Sequence, residues 1–215
     1  MIKIIEISKQ LNKAELQLTG MKQFYIHFPT DLDVSDFFEV GEDAAEPFIK
    51  KITFKEAVSD EEYYCQYEQS REKRLTGVSK YFKNNLNPGD EVFLKKIVIG
   101  SSTPKYFISC KKLKNALVIQ PLEDGFEILP PQKDYNEYCK NVFSLTGQRL
   151  KIEFIEAVKR RIDSKTFKNK YRIVVDGENL SESDELSDMY IIEIADNTLK
   201  VRKCYKWKKT VLEAR

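Results

Sequence analysis

The chain has a single histidine, His27, and only eight glycines in 215 residues. One histidine excludes a His–His metal pair. It also leaves a Ser/His or Cys/His nucleophile just one base to be built around, and no nucleophile elbow is visible. His27 lies in the aromatic run "YIHFP", where a packed, hydrogen-bonded strand residue is the expectation. No glycine is followed by lysine, so the GK[ST] phosphate loop of a nucleotide-driven motor is absent. The four cysteines, Cys65, Cys110, Cys139 and Cys204, are too scattered for a zinc knuckle and are expected to be reduced core thiols. No apolar run approaches the roughly 18 residues of a membrane-spanning helix. The opening "MIKIIEISKQ" lacks the apolar block of a signal peptide. These absences lead to the expectation of a cytoplasmic protein with no membrane partner, no metal site, no catalytic residues and no cofactor.

What is present is ample core material and uneven charge. Hydrophobic residues make up 41% and aromatics 12%, enough for one large domain or two small ones. The net charge is only +2, but residues 31–62 hold 11 Asp/Glu against 3 Lys, and residues 70–114 hold 11 Lys/Arg against 3 acids. Residues 176–196 hold 8 acids and no base, and residues 199–215 hold 7 Lys/Arg against 1 Glu. A near-neutral total therefore hides local fields whose sign selects partners.

The first half reads as short strands with two short helices. "ELQLTG" (15–20) and "QFYIHFP" (23–29) alternate like paired strands. "TDLDVSDFF" (30–38) reads as a helix with Thr30 as N-cap. "IKKITF" and "EYYCQYE" are two more strands, and the polar "QSREKR" (69–74) follows them. Thr76 is placed to cap a second helix whose apolar face is Val78, Tyr81, Phe82 and Leu86. Asn87-Pro88-Gly89-Asp90 has the residues of a type II turn, with Pro at the second position and Gly at the third. "EVFLKKIVI" and "KYFISCKK" follow as strands, and "ALVIQPL" and "GFEIL" are expected to close the first unit. "PPQKD" (130–134) is the linker candidate, and "DYNEYCKNVFSL" is expected to be helical. "QRLKIEFIEAVKRRIDS" (148–164) places Leu150, Phe154, Ala157, Val158 and Ile162 near helical spacing and is also expected to be a helix. "YRIVVD" and "MYIIEIAD" read as strands around an acidic loop.

The fold class that follows is mainly β with short helices (α+β). The pattern suggests a barrel or sandwich over residues 1–130, plus a smaller C-terminal α+β region over residues 131–215. Two polar loops carry chemistry suited to DNA, because base edges are read by Arg, Asn, Gln or Ser held at the tip of a rigid element. "TGMKQ" offers Thr19, Lys22 and Gln23, and "QSREKR" offers Gln69, Ser70, Arg71, Lys73 and Arg74. Lys80 and Lys83 on the polar side of the second helix are further DNA-binding candidates, and Lys206, Lys208 and Lys209 near the C-terminus could add phosphate contacts. Two alternatives stand beside this one. One is a protein-interaction or oligomerisation module. The other is a minimal metal-dependent nuclease using Asp176 and Glu193, although Ala195 stands where such a site would place a lysine.

"YFKNNLNPGDEVFL" resembles the closing helix-turn-strand of the B-three DNA-binding domain, through Tyr81, Phe82, Leu86, Gly89, Asp90 and Phe93. "FYIHFPTDL" resembles that family's early strand, which ends in Pro and enters the first helix. The resemblance covers about residues 12–112. It departs from the plant branch, which usually has a Trp on the strand before the second arm; here Tyr63, Tyr64 and Tyr67 occupy that strand. The resemblance implies an open pseudobarrel of about seven strands with two capping helices over residues 1–130, which grips the DNA major groove with two arms matching "TGMKQ" and "QSREKR". It further implies the target-recognition domain of a bacterial restriction system, of the LlaJI-type, McrBC-related kind. The motor and nuclease modules would then lie elsewhere in the same protein or complex.

Overall fold

In the computed structural model the described residues are 1–16, 25–44, 47–83, 86–129, 134–143, 149–159, 167–180, 188–196 and 198–214. Up to residue 112 the elements are β1 (Ile2–Gln10), β2 (Tyr25–Phe28), α1 (Ser35–Phe38), β3 (Phe48–Glu56), β4 (Glu62–Gln69), β5 (Lys73–Thr76), α2 (Ser79–Phe82), β6 (Glu91–Ile99) and β7 (Lys105–Lys111). Then come β8 (Ala116–Leu122), β9 (Gly125–Leu129), α3 (Tyr135–Phe143), β10 (Leu150–Lys159), β11 (Phe167–Val175), β12 (Glu178–Asn179), β13 (Tyr190–Ala195), β14 (Thr198–Lys203) and β15 (Lys208–Ala214). The molecule is mainly β with a few short helices, as its composition and alternation predict.

One compact unit is formed by Met1–Lys112 together with Tyr205–Arg215. Its eight-stranded sheet runs β15-β1-β6-β7-β3-β4-β5-β2. β3 pairs with β7 in parallel, while β3–β4, β4–β5 and β2–β5 are antiparallel. The sheet curls over a core that includes Ile7, Phe28, Phe37, Phe38, Phe54, Tyr67, Leu75 and Leu94, all fully buried. Phe38 stacks on Tyr67 with centroids 3.7 Å apart, and Phe28 meets Trp207 at 4.8 Å. Trp207 immediately precedes β15 at one end of the sheet and Phe28 belongs to β2 at the other, so the ends meet through side chains. Such aromatic pairs add about 0.5–1.5 kcal/mol each beyond the area they bury.

Both helices of this unit are one turn long, shorter than the sequence suggests. Thr30 does not cap α1; Asp33 instead accepts hydrogen bonds from the Ser35 N–H (2.9 Å) and Oγ (2.6 Å). Short polar side chains of this kind compete with helical bonding and delay the helix start. Glu39, with φ 55°, ends α1 in the left-handed region. Thr76 does not cap α2 either, because it is the last residue of β5 and its Oγ1 donates to the Gln66 carbonyl at 3.2 Å. Gly77 (φ +87°) then turns the chain so closely over β4 that an added Cβ would lie 2.4 Å from the Tyr64 carbonyl oxygen. The 87–90 turn is as expected: the Asp90 N–H donates to Asn87 O at 3.1 Å and Gly89 has φ +89°. Leu11 stitches the turn to the end of β1, accepting from the Gly89 N–H and donating to Asp90 O, both at 2.8 Å.

The second compact unit, Leu113–Cys204, is α+β. Its seven-stranded sheet runs β10-β11-β9-β8-β13-β14, with β12 added on β11. "ALVIQPL" and "GFEIL" form β8 and β9 of this sheet, so they belong to the second unit, which begins at Leu113, rather than closing a first unit that ends at residue 130. Where the expected helix over 148–164 is described, it is the strand β10 (Leu150–Lys159) preceded by Arg149; Gln148 and residues 160–164 lie outside the described residues. A β-bulge between Phe154 and Glu156 shifts the alternation begun by Leu150 and Ile152. That one-residue shift gave the apolar positions a spacing that imitates a helix. α3 forms as expected, with Asp134 Oδ1 accepting from the Glu137 N–H at 3.0 Å and Tyr135, Cys139 and Phe143 buried four residues apart. Among the described residues no helix is long and apolar enough to cross a membrane.

Candidate nucleic-acid interface

The second polar loop is a tight hairpin rather than a long arm. Gln69 pairs with Lys73, leaving Ser70, Arg71 and Glu72 as a three-residue connection from β4 to β5, closed by the Ser70 N–H on Glu72 O at 3.1 Å. Strand alternation then divides the basic pair. Lys73 points to the core side, and its Nζ donates to the carbonyls of Leu32 (2.9 Å) and Thr30 (3.2 Å), bracing the segment before α1. Arg74 points outward. Its Nε donates to Glu72 Oε2 at 2.7 Å, its Nη2 donates to the same oxygen, and its Cζ lies 5.0 Å from the Tyr25 ring centroid. The Glu72 hydrogen bond raises the Arg74 pKa above its ordinary value. Ser70 and Arg71 are exposed at the tip, and Gln69 accepts from the Tyr67 hydroxyl at 2.8 Å.

Thr19, Lys22 and Gln23 lie outside the described residues, but the strand that follows them does not. Tyr25 pairs with Thr76, and Phe28 pairs with Lys73. The start of β2 and the tip of the hairpin therefore sit at opposite ends of one four-residue ladder. Between them the outward rows run His27–Arg74–Glu68–Ile49 and Tyr25–Thr76–Gln66–Lys51 across β2, β5, β4 and β3. His27 is exposed on this face, not packed as expected. Tyr64, one pleat further along β4, is 75% exposed. His27, Tyr25, Gln66, Thr76 and Lys51 were missed as a group by sequence reasoning. The signal was present as period-two alternation, but only the cross-strand register aligns it into rows.

Lys80 is not brought to the hairpin, and Lys83 directly follows α2. Lys80 pairs with Glu61 at 2.5 Å and lies 5.6 Å from the Tyr63 ring, beside the start of β4, whereas the hairpin follows its end. Part of the acidic run is paired with lysines of the same unit. Lys209 reaches Asp36 Oδ1 at 2.7 Å, buried Lys96 reaches Glu39 at 3.0 Å, and Lys50 also pairs with Glu39. Burial lowers the Lys96 pKa.

Asp176 and Glu193 do not converge. β9 and β8 lie between their strands, which places β11 and β13 about 14 Å apart, against the roughly 2–2.6 Å of a metal–oxygen bond. Each carboxylate is held by its own arginine, Asp176 by Arg149 at 2.6 Å and Glu193 by Arg202 at 2.6 Å. No cluster of three or more His, Cys, Asp or Glu able to hold a metal occurs among the described residues. The cysteines are free thiols; Cys65, Cys139 and Cys204 are buried, and desolvation raises their pKa to about 12, about 11 and about 12.

No family model and no curated protein matches the chain. Among solved structures it is similar to a mutant form of the UbaLAI restriction endonuclease B3 domain, solved with cognate DNA. The identity is 12%, the TM-score is 0.37, and the match covers 50% of this chain and 67% of that one.

Proposed function

We propose that this chain binds double-stranded DNA sequence-specifically. The contacts are made by the β4–β5 hairpin (Gln69, Ser70, Arg71, Arg74) and by the segment before β2 (Thr19, Lys22, Gln23). The observation that carries this reading is the outward ladder between those two arms. Its length, three steps of about 3.4 Å or about 10 Å, is comparable to the roughly 12 Å width of the major groove. Its side chains, His27, Arg74, Thr76 and Gln66, are hydrogen-bonding types that suit base edges. The helix-turn-strand resemblance over residues 81–93 supports the same reading. In it the chain is the recognition part of a bacterial restriction system, performs no catalysis itself, and relies on a motor and a nuclease elsewhere.

The test is fluorescence anisotropy of labelled duplexes over a salt series, with a single-stranded control. Duplex affinity should fall linearly on a log–log salt plot. In the variants Arg71→Ala and Arg74→Ala, affinity for a selected site should fall about tenfold or more while random-duplex affinity changes far less. Unchanged specific binding in both variants would reject the hairpin assignment. No duplex binding at low salt would reject DNA binding and favour a protein-interaction module.

A further inference from the structure

The Arg74 guanidinium is held on two sides. One edge, Nε with Nη2, is occupied by Glu72 Oε2. One face lies over the Tyr25 ring. The other edge, Nη1 with the second hydrogen of Nη2, makes no hydrogen bond to a described residue. That edge is a parallel pair of donors on a half-buried side chain whose strand is flanked on both sides, by β2 and by β4. A parallel donor pair selects a base that offers two adjacent acceptors. In the major groove guanine does so with O6 and N7, whereas adenine pairs an acceptor with a donor, cytosine offers a donor and thymine a single acceptor. Phosphate is a poorer fit. Glu72 touches Arg74 and Glu68 is its ladder partner, so two carboxylates would repel a phosphate brought to this cation.

We propose that Arg74 reads a guanine edge in the major groove, with Glu72 and Tyr25 as the residues that position its guanidinium. The inference rests on the DNA-binding reading above and adds the base and the residues that fix the reader. Glu72 is a positioning residue, so removing its charge changes base preference at one position rather than binding as a whole.

The experiment is site selection from randomised duplexes with the full chain. Competition anisotropy then follows, in which each selected base pair is exchanged in turn. The parent should prefer one G·C pair by about tenfold or more. Arg74→Lys should lose that preference, because an ammonium cannot reproduce the fork. Glu72→Gln should lose most of it at the same position only, with random-duplex affinity equal or higher. Tyr25→Leu should weaken it, and Tyr25→Phe should restore it. If Arg74→Lys and Glu72→Gln keep the parent's preference at every position while still binding the selected site, the guanine assignment is overturned and DNA binding stands. If the parent selects no sequence, the DNA-reading function falls and the assignment with it.

Discussion

The two sheets each carry a hairpin, and the two are braced very differently. β4–β5 is flanked by β3 and β2, and its inward residues Cys65, Tyr67 and Leu75 are buried in the first core. β10–β11 is tied to β9 by the single ladder pair Tyr171–Phe126 among the described residues, and its residues from Phe154 to Ala157 are exposed. Positive charge alone would point to the second hairpin, since residues 159–172 hold seven Lys/Arg against one acid. Charge gives attraction to phosphate, but base reading needs a donor held in place. Beyond Tyr171, towards Lys159 and Phe167, the second hairpin runs as two strands alone among the described residues, and a two-stranded ribbon is marginally stable. The braced hairpin, with fewer cations, is therefore the better candidate for the proposed reader.

That contrast has its largest expected effect in the cores. Phe38→Ala removes a fully buried ring stacked on Tyr67 and should destabilise the first unit by about 3–5 kcal/mol. Phe154→Ala, at a position 60% exposed on β10, should cost less than about 1 kcal/mol. Urea unfolding followed by Trp207 fluorescence reports the first unit, since Trp207 is the sole tryptophan and packs on Phe28. Far-UV circular dichroism reports both. Equal losses in the two variants would erase the distinction between the hairpins.

Next in size is the turn that follows β5. Gly77→Ala places a Cβ 2.4 Å from the Tyr64 carbonyl at φ +87° and should cost about 2–4 kcal/mol from overpacking and left-handed strain together. Gly177→Ala has the same kind of backbone, φ +89°, but no atom within 4 Å of the added Cβ, and should cost about 1–2 kcal/mol. Comparable midpoints for the two variants in the same urea series would show that close packing over β4 does not fix the end of β5.

The same two regions show what a sequence can disclose. The 74–94 stretch was largely legible because its devices are local: apolar spacing at Val78, Tyr81, Phe82 and Leu86, and a Pro-Gly turn whose backbone follows from its residues. Its helix was overestimated because Gly77 must serve β4, a partner that the local pattern does not name. β10 was misread because a bulge disguised its period and its true partner, β11, follows in the chain. The outward rows of the candidate interface were legible strand by strand but not as rows, since register is a property of pairs. The pairing of Asp36 with Lys209 joins residues 173 apart in sequence, so a tether at this point of the acidic run was not legible locally.

The smallest expected effect separates two surface carboxylates, one in each unit. Asp33 has its pKa lowered below the ordinary 3.8, first by the Ser35 hydroxyl and then by the Ser35 N–H. Asp176 is lowered first by its hydrogen bond to Arg149, with the arginine's charge adding to it. For both, the folded value lies below the unfolded one. Each therefore contributes stability that is fully present above about pH 3.8 and is lost as pH falls through the lower folded value. Ser35→Ala should reduce first-unit stability at pH 7 by less than about 1 kcal/mol, because Asp33 is largely exposed, and the difference from the parent should shrink as pH falls below about 3.8. Added salt should weaken the Arg149–Asp176 contribution, which is an exposed ion pair, more than the short-range Ser35–Asp33 bonds. Acid titrations at low and 1 M salt check this through Trp207 fluorescence for the Asp33 pair and circular dichroism for the Asp176 pair. Equal salt sensitivity of the two would mean that Asp33 is held by the charges of Lys209 and Lys73 rather than by Ser35.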